Sequence, residues 1–487
     1  MTDLEEIREW LEKNDVWNNI RYKLSDTGAG YLFADWAKNK ARYVYSRRRW
    51  YVYNGIVWEP DAGGKVAALC KRLALGLWSS AVGQSAEIQK YALKWQQQKQ
   101  QDIILRSAMS VYPIEIDDFD KDPMLYNCLN CTLDLRTMKT HKHTPEDMLT
   151  LVSGVKYDPK AECPRWSQFV MEVLQDDLTK ALYMQTVFGY GLTGLAKENC
   201  LYQLHGATGR NGKGTMLETY MTMQGSYAKA ARPETIARGR RNSAGPSEDL
   251  ARLAGARVVN ISELPQGLQM DSALVKTLTG GDTVTARFLN EGSFEFRPQF
   301  KIFINTNYKL RIDDPIVFSS GRMKLISFNR HFSEEEQDKD LKEKLSQPQE
   351  LSGILNWCLS GLKDYLSNGI REPQCVKEDT EAYRQDSDTV CQFIEATMDV
   401  DPNGEILTTK AYAAYMNWCG SMGALYRDYQ SFRETVEAQF SVRKKRPKGS
   451  HRTVAPQSFI CGVRWREGLV IGATGIMAGG EINDSMV

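Results

Sequence analysis

The sequence predicts an α/β protein organised around a parallel sheet, with a mixed α and β segment before it and a helical, basic segment after it. Between residues 200 and 330, short apolar runs alternate with helical stretches, the pattern of parallel strands joined by crossover helices. A glycine-rich loop carrying one lysine follows the first of these runs. The chain has 487 residues, 42% hydrophobic and 25% charged, a composition typical of a globular protein with about three domains.

Charge and cysteine content exclude several classes of protein. There are 62 Lys plus Arg and 61 Asp plus Glu, so the formal net charge is +1 and the whole chain is not a polycation. Binding to nucleic acid would therefore need local basic patches or a surface formed by several copies. No apolar run is long enough for a membrane span, and the acidic amino terminus is unlike a signal peptide. The 10 scattered cysteines predict reduced thiols, and we expect a cytoplasmic protein of a bacterial host or the equivalent compartment for a viral element.

Three domains are predicted, spanning 1–165, 166–385 and 386–487. The first is mixed α and β, because residues 5–17 have helical apolar spacing and Asn54-Gly55 separates two aromatic and β-branched runs, as in a hairpin. A helix is expected over 167–190. In the third domain, the sequence predicts helices at 408–419 and 431–440. The basic, hairpin-like segment SVRKKRPKGSHRTV and a Gly-rich tail follow them.

The most informative segment is 201–215, LYQLHGATGRNGKGT. An apolar strand enters a glycine-rich turn, and a helix follows. The backbone N–H groups of such a turn and the helix dipole favour an anion, and Lys213 can reach the β- and γ-phosphates of a nucleotide. The predicted nucleotide site consists of Gly206, Ala207, Thr208, Gly209, Arg210, Asn211, Gly212, Lys213, Gly214 and Thr215.

One position departs from the usual phosphate-loop pattern. Gly214 follows Lys213 where a serine or threonine commonly supplies a hydroxyl to Mg²⁺. Thr215 can supply that hydroxyl from the next position, or the metal can be held through water. Both possibilities remain open at the level of the sequence.

Two further strands are predicted to end in catalytic side chains. The run ARVVNIS ends at Glu263, which is placed to polarise the attacking water or to help hold Mg²⁺. The run FKIFINT ends at Asn307, whose amide can orient water and sense the γ-phosphate, with Asn305 as the nearby competitor for that role. The predicted metal ligands are therefore Thr215 and Glu263.

Arg322 precedes another apolar strand and is the candidate arginine finger. A guanidinium that reaches the γ-phosphate of the adjacent subunit stabilises charge in the transition state. Arg311 and Lys324 are the alternative cations. The predicted catalytic residues are Lys213, Glu263, Asn307 and Arg322.

A hairpin between the second and third strands is the candidate DNA-binding element. Strands are expected over 283–289 and 293–297, on either side of Asn290-Glu291-Gly292. Cations on such a hairpin can grip a phosphate backbone. The predicted DNA-binding residues are Lys276, Arg287, Arg297, Lys444 and Lys445, the last two in the basic C-terminal segment.

These elements, in this order, resemble the superfamily 3 helicases and, more narrowly, the primase-helicases of satellite phages, plasmids and poxviruses. GRNGKGT, ISE, LTGGDTVTAR and FINTN carry the resemblance, which covers residues 31–466. It implies an AAA+-like P-loop ATPase core with a helical lid and a C-terminal winged-helix domain. It also implies a ring, usually a hexamer, that uses ATP and Mg²⁺ to move 3′→5′ on single-stranded or forked DNA. Ser262 departs from the family where a second acid is often found beside Glu263.

Other readings of the function remain open. Because the resemblance begins near the amino terminus, we expect no primase domain in this chain and a possible separate primase or polymerase as partner. The alternative to a replicative helicase is an ATP-switched DNA-binding assembly or replisome-recruitment factor with little unwinding. A defence role would use the same machinery. Cys128, Cys131, His141 and His143 could be taken as a zinc site, but packed thiols and turn histidines are the preferred interpretation.

Overall fold

The computed structural model describes residues 3–239, 247–289, 292–312, 314, 316–422, 426–445 and 456–466, and the backbone of 469–472 and 475–478. Within these ranges the chain forms an N-terminal unit, a central parallel sheet covered by helices, and a C-terminal unit. None of the helices in these ranges combines the length and apolar character needed to cross a bilayer.

The N-terminal unit combines helices with two small antiparallel sheets. Its helices are α1 (Asp3–Lys13), α2 (Asp26–Ala37), α3 (Lys65–Ala81), α4 (Ala86–Lys94) and α5 (Gln98–Ala108). Its strands are β1 (Ala41–Val44), β2 (Arg49–Tyr53), β3 (Trp58–Pro60), β4 (Leu125–Asn127), β5 (Thr132–Asp134) and β6 (Lys139–His141), paired in the orders β1-β2-β3 and β4-β5-β6. The predicted hairpin at Asn54-Gly55 is confirmed. The Asn54 side-chain oxygen accepts the backbone N–H of Ile56 and Val57, which fixes the turn between β2 and β3.

A five-stranded parallel sheet forms the centre of the molecule, as the alternating pattern predicts. The strands of this region are β7 (Leu201–His205), β8 (Ala228–Ala231), β9 (Val258–Ser262), β10 (Val284–Arg287), β11 (Ser293–Phe296), β12 (Lys301–Thr306) and β13 (Met323–Ser327). The sheet order is β13-β7-β12-β9-β8, and β10 pairs with β11 as a separate antiparallel hairpin. All sheet neighbours are parallel, so the carboxyl ends of the five strands lie along one edge.

Helices cover both faces of this sheet. They are α6 (Pro164–Val173), α7 (Leu178–Gly191), α8 (Lys213–Gln224), α9 (Glu248–Ala251), α10 (Ser272–Gly280), α11 (Ile316–Ser319), α12 (Leu341–Leu345), α13 (Pro348–Asn368) and α14 (Gln374–Ser387). Helices α7 and α13 pack very closely, because a Cβ on Gly361 would lie 2.0 Å from the Gln185 carbonyl oxygen. The predicted domain boundaries at 166 and 385 lie inside α6 and α14, and they stay predictions.

The helical stretch expected over 167–190 is present but consists of two helices. The chain forms α6 and α7 with a break between them, where Gln175 and Asp176 adopt φ values of 55° and 60°. Left-handed backbone cannot continue a right-handed helix. The side chain of Asp177 then caps α7 by accepting the N–H of Lys180.

The C-terminal unit packs helices against an antiparallel sheet. Its elements are α15 (Thr389–Thr397), β14 (Met398–Leu407), α16 (Thr408–Ser421), α17 (Tyr429–Gln439), β15 (Ser441–Lys445) and β16 (Gln457–Trp465), with the order β14-β16-β15, followed by the strands β17 (Leu469–Gly472) and β18 (Gly475–Ala478). Both predicted helices are present with slightly shifted ends. Phe393, Tyr415 and Phe432 lie at the centre of its apolar core. Residues 446–455 of the predicted basic hairpin lie outside the described residues.

A buried arginine joins the N-terminal unit to the parallel sheet. Arg257 directly precedes β9 and is 2% exposed. Its guanidinium donates to the carbonyl oxygens of Leu192, at 2.5 Å, and Leu125, at 2.7 Å, and lies 4.4 Å from the ring centre of Tyr227. Because Leu125 belongs to β4, one side chain fixes a strand of the N-terminal unit against the amino end of β9.

Candidate nucleotide-binding site

The glycine-rich loop lies at the carboxyl edge of the sheet, between β7 and α8. Gly212 is the N-cap of α8 with a φ of 82°, and a Cβ on it would lie 2.3 Å from Val173 Cγ1. A Cβ on Gly206 would lie 2.6 Å from the carbonyl oxygen of Phe328, a backbone atom. Glycine is therefore required at both positions, at Gly212 also by the left-handed backbone. The first-turn N–H groups of α8 have no intrahelical acceptor and are available to an anion.

Lys213 is buried without an opposite charge. It is 3% exposed, and its Nζ donates to the side-chain oxygen of Asn307 at 2.9 Å and to the carbonyl oxygen of Gly206 at 3.3 Å. Burial lowers the pKa of this lysine to about 8. Among the described residues it makes no ion pair, so a bound anion would supply the missing negative charge.

The tip of the loop is exposed but held in shape. Residues 207–210 are exposed, and the Asn211 side chain donates to the carbonyl oxygen of Thr208 at 2.6 Å. The segment after β13 braces the loop from outside, because the N–H of Phe332 donates to the carbonyl oxygen of Arg210 at 2.9 Å. Arg210 itself forms an exposed ion pair with Glu334 at 3.2 Å. These contacts use carbonyl oxygens and side chains of the loop. They therefore leave N–H groups of the loop available to phosphate oxygens.

The strand order brings Glu263 to the same edge as the loop. Strand β12 lies between β7 and β9, so Asn307 follows the middle strand and Glu263 follows its neighbour. Glu263 is exposed and has a φ of 58°, which is unfavourable for a residue with a side chain. Its carboxylate makes no ion pair or hydrogen bond with the described residues, so it is available to a ligand or water.

The side chains at this edge suit Mg²⁺. Magnesium prefers hard oxygen ligands, and Glu263, Asn305 and Thr215 supply a carboxylate, an amide and a hydroxyl oxygen. The hydroxyl of Thr215 has no hydrogen-bond partner in the described part of the chain. No group of three or more His, Cys, Asp or Glu side chains that could hold a metal is found among the described residues.

Arg322 lies at the opposite edge of the sheet. It directly precedes β13, and its guanidinium donates to Thr279 Oγ1 at 2.9 Å and to the carbonyl oxygen of Lys276 at 3.2 Å, near the end of α10. Within one chain the structure therefore does not bring Arg322 to Lys213. Of the alternatives, Lys324 pairs with Glu372 at 2.6 Å, and Arg311 is exposed.

The hairpin forms one wall of a groove of about 960 Å³. Phe288 and Phe294 stack with ring centres 5.7 Å apart, and Arg47, from the turn between β1 and β2, lies 4.2 Å from the ring centre of Phe294. The groove has more cationic than acidic side chains. The cations are Arg47, Arg49, Lys121, Lys229, Arg252 and Arg297, and the acids are Glu59, Asp117, Asp120 and Glu295.

The predicted DNA-binding residues do not form one surface. Arg297 is exposed and lines the groove, and Arg287 ends β10. Lys276 lies in α10 rather than on the hairpin, and it pairs with Asp314 at 2.5 Å. Lys444 and Lys445 lie on the edge strand β15, far along the chain, and Lys445 pairs with Glu405. The turn residues 290–291 lie outside the described residues.

Two features of these sites are not among the predictions from the sequence. The aromatic pair Phe288 and Phe294 sits among the cations of the hairpin, and aromatic residues in a basic strand pair are the available signal. From the sequence, Asn305 is only the competitor of Asn307, whereas in the structure its side-chain nitrogen lies 3.6 Å from the position of a Cβ on Gly214. The available signal is the polar Asn305 directly after the apolar run of β12.

Comparison with known proteins identifies viral relatives. Residues 30–175 match the family described as "D5 N terminal like". The chain is 26% identical over 302 residues to "Putative helicase L207/L206" of Acanthamoeba polyphaga mimivirus, covering 58% of this chain and 31% of that protein. It is 25% identical over 279 residues to "Putative helicase 022R" of Frog virus 3, covering 54% of this chain and 28% of that protein. The chain thus spans about a third of the length of these relatives.

One solved structure matches most of the fold. It is the apo structure of the NrS-1 C terminal region, with a TM-score of 0.51 and 12% sequence identity, and it covers 89% of this chain and 99% of that one. At this identity the likeness supports the arrangement of the elements alone.

Proposed function

We propose that this relative of the D5-type primase-helicases is an ATP-dependent DNA helicase of a phage or other mobile genetic element. It acts during replication as a ring, with six subunits as the expected number, and moves 3′→5′ on single-stranded DNA. The observation that carries the proposal is the buried Lys213 without a counter-charge, bonded to Asn307 at the edge where Glu263 is exposed. This is the arrangement that a triphosphate would complete.

Lys213, Asn307 and Glu263 have different roles in hydrolysis. The phosphates take the place of Asn307 as partners of Lys213, and the freed amide then contacts the γ-phosphate. Glu263 orients the attacking water and accepts its proton. Glu263, together with neighbouring oxygen donors, would hold Mg²⁺, which would supply positive charge to neutralise the β- and γ-phosphates.

Two features support a ring of the AAA+ type. The strand that carries Asn307 lies between the strand of the glycine-rich loop and the strand of Glu263, which sets all three at one edge. Arg322 lies at the other edge, so it can complete a site only on an adjacent subunit.

The groove between the hairpin and the N-terminal unit offers cations and aromatic faces to a single strand. The C-terminal helices and sheet suit a winged helix that contacts duplex DNA.

A forked-duplex unwinding assay tests the proposal. The wild type is expected to unwind a fork with a 3′ tail and to hydrolyse ATP faster when single-stranded DNA is added. Lys213→Ala is expected to lose nucleotide binding and unwinding together. Glu263→Gln is expected to retain ATP binding and to lose hydrolysis by about a hundredfold or more, since it removes the group that activates water. Failure of the wild type to bind ATP would overturn the proposal.

A second function is an ATP-switched DNA-binding assembly factor. It is favoured by Gly214, which leaves the position after Lys213 without a hydroxyl, and by Ser262, which leaves Glu263 as the one acidic side chain at the end of β9. The same assay separates the two functions. A wild type that hydrolyses ATP and binds DNA, but leaves forks intact at every protein concentration, would support the assembly factor over the helicase.

A further inference from the structure

The position after the phosphate-loop lysine has space for a side chain but carries none. Gly214 is the second residue of α8 and has no left-handed backbone that would demand glycine. A Cβ built on it would meet a single described atom within 4 Å, the side-chain nitrogen of Asn305 at 3.6 Å. That is ordinary van der Waals contact. The hydroxyl that is missing at Gly214 would thus have pointed at Asn305.

The Asn305 amide is directed at this space without a partner of its own. Asn305 is half-buried and is the last residue but one of β12. Its side chain makes no hydrogen bond to any described residue. Partly buried amides normally have such a bond in the protein or to solvent. Strand register places Asn305 opposite Ser262, which is the other position where the usual magnesium-binding group is replaced. The Asn305 amide therefore lies between Gly214 and Ser262, the two positions that depart from the usual pattern.

Two successive residues at the start of α8 lie beside two asparagines at the carboxyl end of β12. Lys213 contacts Asn307, and the next residue, Gly214, faces Asn305, two residues earlier in the strand. Thr215 lies about 100° further round the helix than Gly214, because an α-helix has about 3.6 residues per turn. Its hydroxyl therefore points in a different direction from the missing one. Asn305 is the side chain that reaches the Gly214 position.

We propose that Asn305 replaces the missing phosphate-loop hydroxyl and positions Mg²⁺ of bound Mg·ATP through its amide oxygen. A half-turn of the amide exchanges its oxygen and nitrogen, so the same side chain can present the oxygen to the metal. Amide oxygens are accepted ligands of hard cations. The inference rests on the proposed ATPase function, and it identifies Asn305, in addition to Glu263, as the residue that sets the magnesium requirement of the site.

Magnesium dependence of nucleotide binding tests this role. The ratio of the ATP dissociation constants without and with Mg²⁺ is measured by fluorescence of a labelled ATP analogue, and Mn²⁺ in the same complexes is followed by electron paramagnetic resonance. Asn305→Ala is expected to lower the ratio by about tenfold or more and to alter the Mn²⁺ spectrum. Gly214→Ser in the Asn305→Ala background is expected to restore the ratio, because the serine hydroxyl would occupy the same space.

Asn305→Asp separates a metal ligand from a structural amide. A carboxylate binds Mg²⁺ more strongly than an amide, so this variant is expected to keep or raise the magnesium dependence. A structural amide that acts as a donor would be damaged by the same change. Thermal unfolding of each variant serves as the control for folding.

The possible failures are distinguishable. An Asn305→Ala protein that is folded, binds Mg·ATP and retains the wild-type ratio within twofold would overturn the role of Asn305 and leave the ATPase proposal standing. Absence of ATP binding in the wild type, with or without Mg²⁺, would overturn the proposed function itself. Restoration by Gly214→Ser supports the inference, and a double variant that behaves as the single Asn305→Ala contradicts it.

Discussion

At the scale of single residues, the decisive feature is a lysine that has no carboxylate partner in the part of the chain that the structure describes. Desolvation lowers the pKa of Lys213 to about 8, and its hydrogen bonds go to neutral oxygens of Gly206 and Asn307. His205, at the end of β7, also has a lowered pKa, from burial first and then from the cations Lys309 and Lys213. The site is therefore short of negative charge before a nucleotide arrives.

ATP affinity is expected to depend on pH through Lys213. Below pH 8 the lysine is already protonated, so the dissociation constant should change little from this source. Above pH 8 the free site loses its proton, and binding of phosphate must take one up again, so the constant should rise by up to about tenfold per pH unit. Calorimetry in two buffers of different ionisation enthalpy would measure the proton uptake. A constant that stays flat from pH 7 to 10 would contradict this assignment.

At the scale of elements, the hairpin β10–β11 couples aromatic faces to cations. Phe288 and Phe294 stack, and Arg47 of the N-terminal unit lies 4.2 Å from the ring centre of Phe294 and 5.6 Å from that of Phe288. The hairpin is therefore built against the N-terminal unit, and the groove needs both. Lys276 of α10 pairs with Asp314, which lies two residues before α11, so this lysine already has a carboxylate partner within the chain.

Substitutions in the hairpin should separate stacking from charge. Phe294→Leu keeps apolar volume but removes the aromatic face, and it is expected to weaken binding of single-stranded DNA by about 1–3 kcal/mol, or roughly five- to a hundredfold. Arg297→Ala is expected to weaken binding less and to lower the salt dependence by about one counterion. Fluorescence anisotropy of a labelled oligonucleotide at several salt concentrations distinguishes them. Equal losses with unchanged salt slopes would contradict DNA binding at this groove.

At the scale of the whole molecule, buried Arg257 holds the N-terminal unit against the sheet. Its guanidinium satisfies carbonyl oxygens of Leu125 and Leu192, which lie far apart in the chain. Arg257→Leu is expected to destabilise the fold by about 2–4 kcal/mol, because two buried carbonyls lose their donors. Chemical denaturation measures the loss. Arg297→Ala, at an exposed arginine, is the matched control and should change stability by less than about 0.5 kcal/mol.

The position of Arg322 makes a prediction for the assembly. Arg322→Ala and Glu263→Gln should each abolish hydrolysis in a pure ring. A mixture of the two should regain part of the activity, because a variant with intact Glu263 can then receive Arg322 from its neighbour. Steady-state ATPase rates of mixtures at several ratios measure this. Rates that stay at the level of the pure variants at every ratio would show that Arg322 does not act between subunits.

Local patterns predict the strands of the central sheet and the positions of their carboxyl ends well. Glu263 and Asn307 could be placed because carboxyl ends of parallel strands share one edge, and the loop around Lys213 follows from its glycines. The partners of Arg322 and Lys276 could not be predicted, because they depend on how α10 packs against β13 and on Asp314. The break between α6 and α7 was missed because apolar spacing continues through two residues of left-handed backbone.

Strand β12 joins both sites of the molecule. Its carboxyl end leads to Asn307 at the phosphate loop, and its amino end follows the hairpin after only residues 297–300. Between them the strand is about 20 Å long, and Lys301 is fixed near the amino end by the carbonyl oxygen of Thr193. Strands β7 and β9 pair with β12 on its two sides, so β12 cannot shift without them. A displacement of Asn307 would therefore also move the strand that enters the glycine-rich loop and the strand that ends before Glu263.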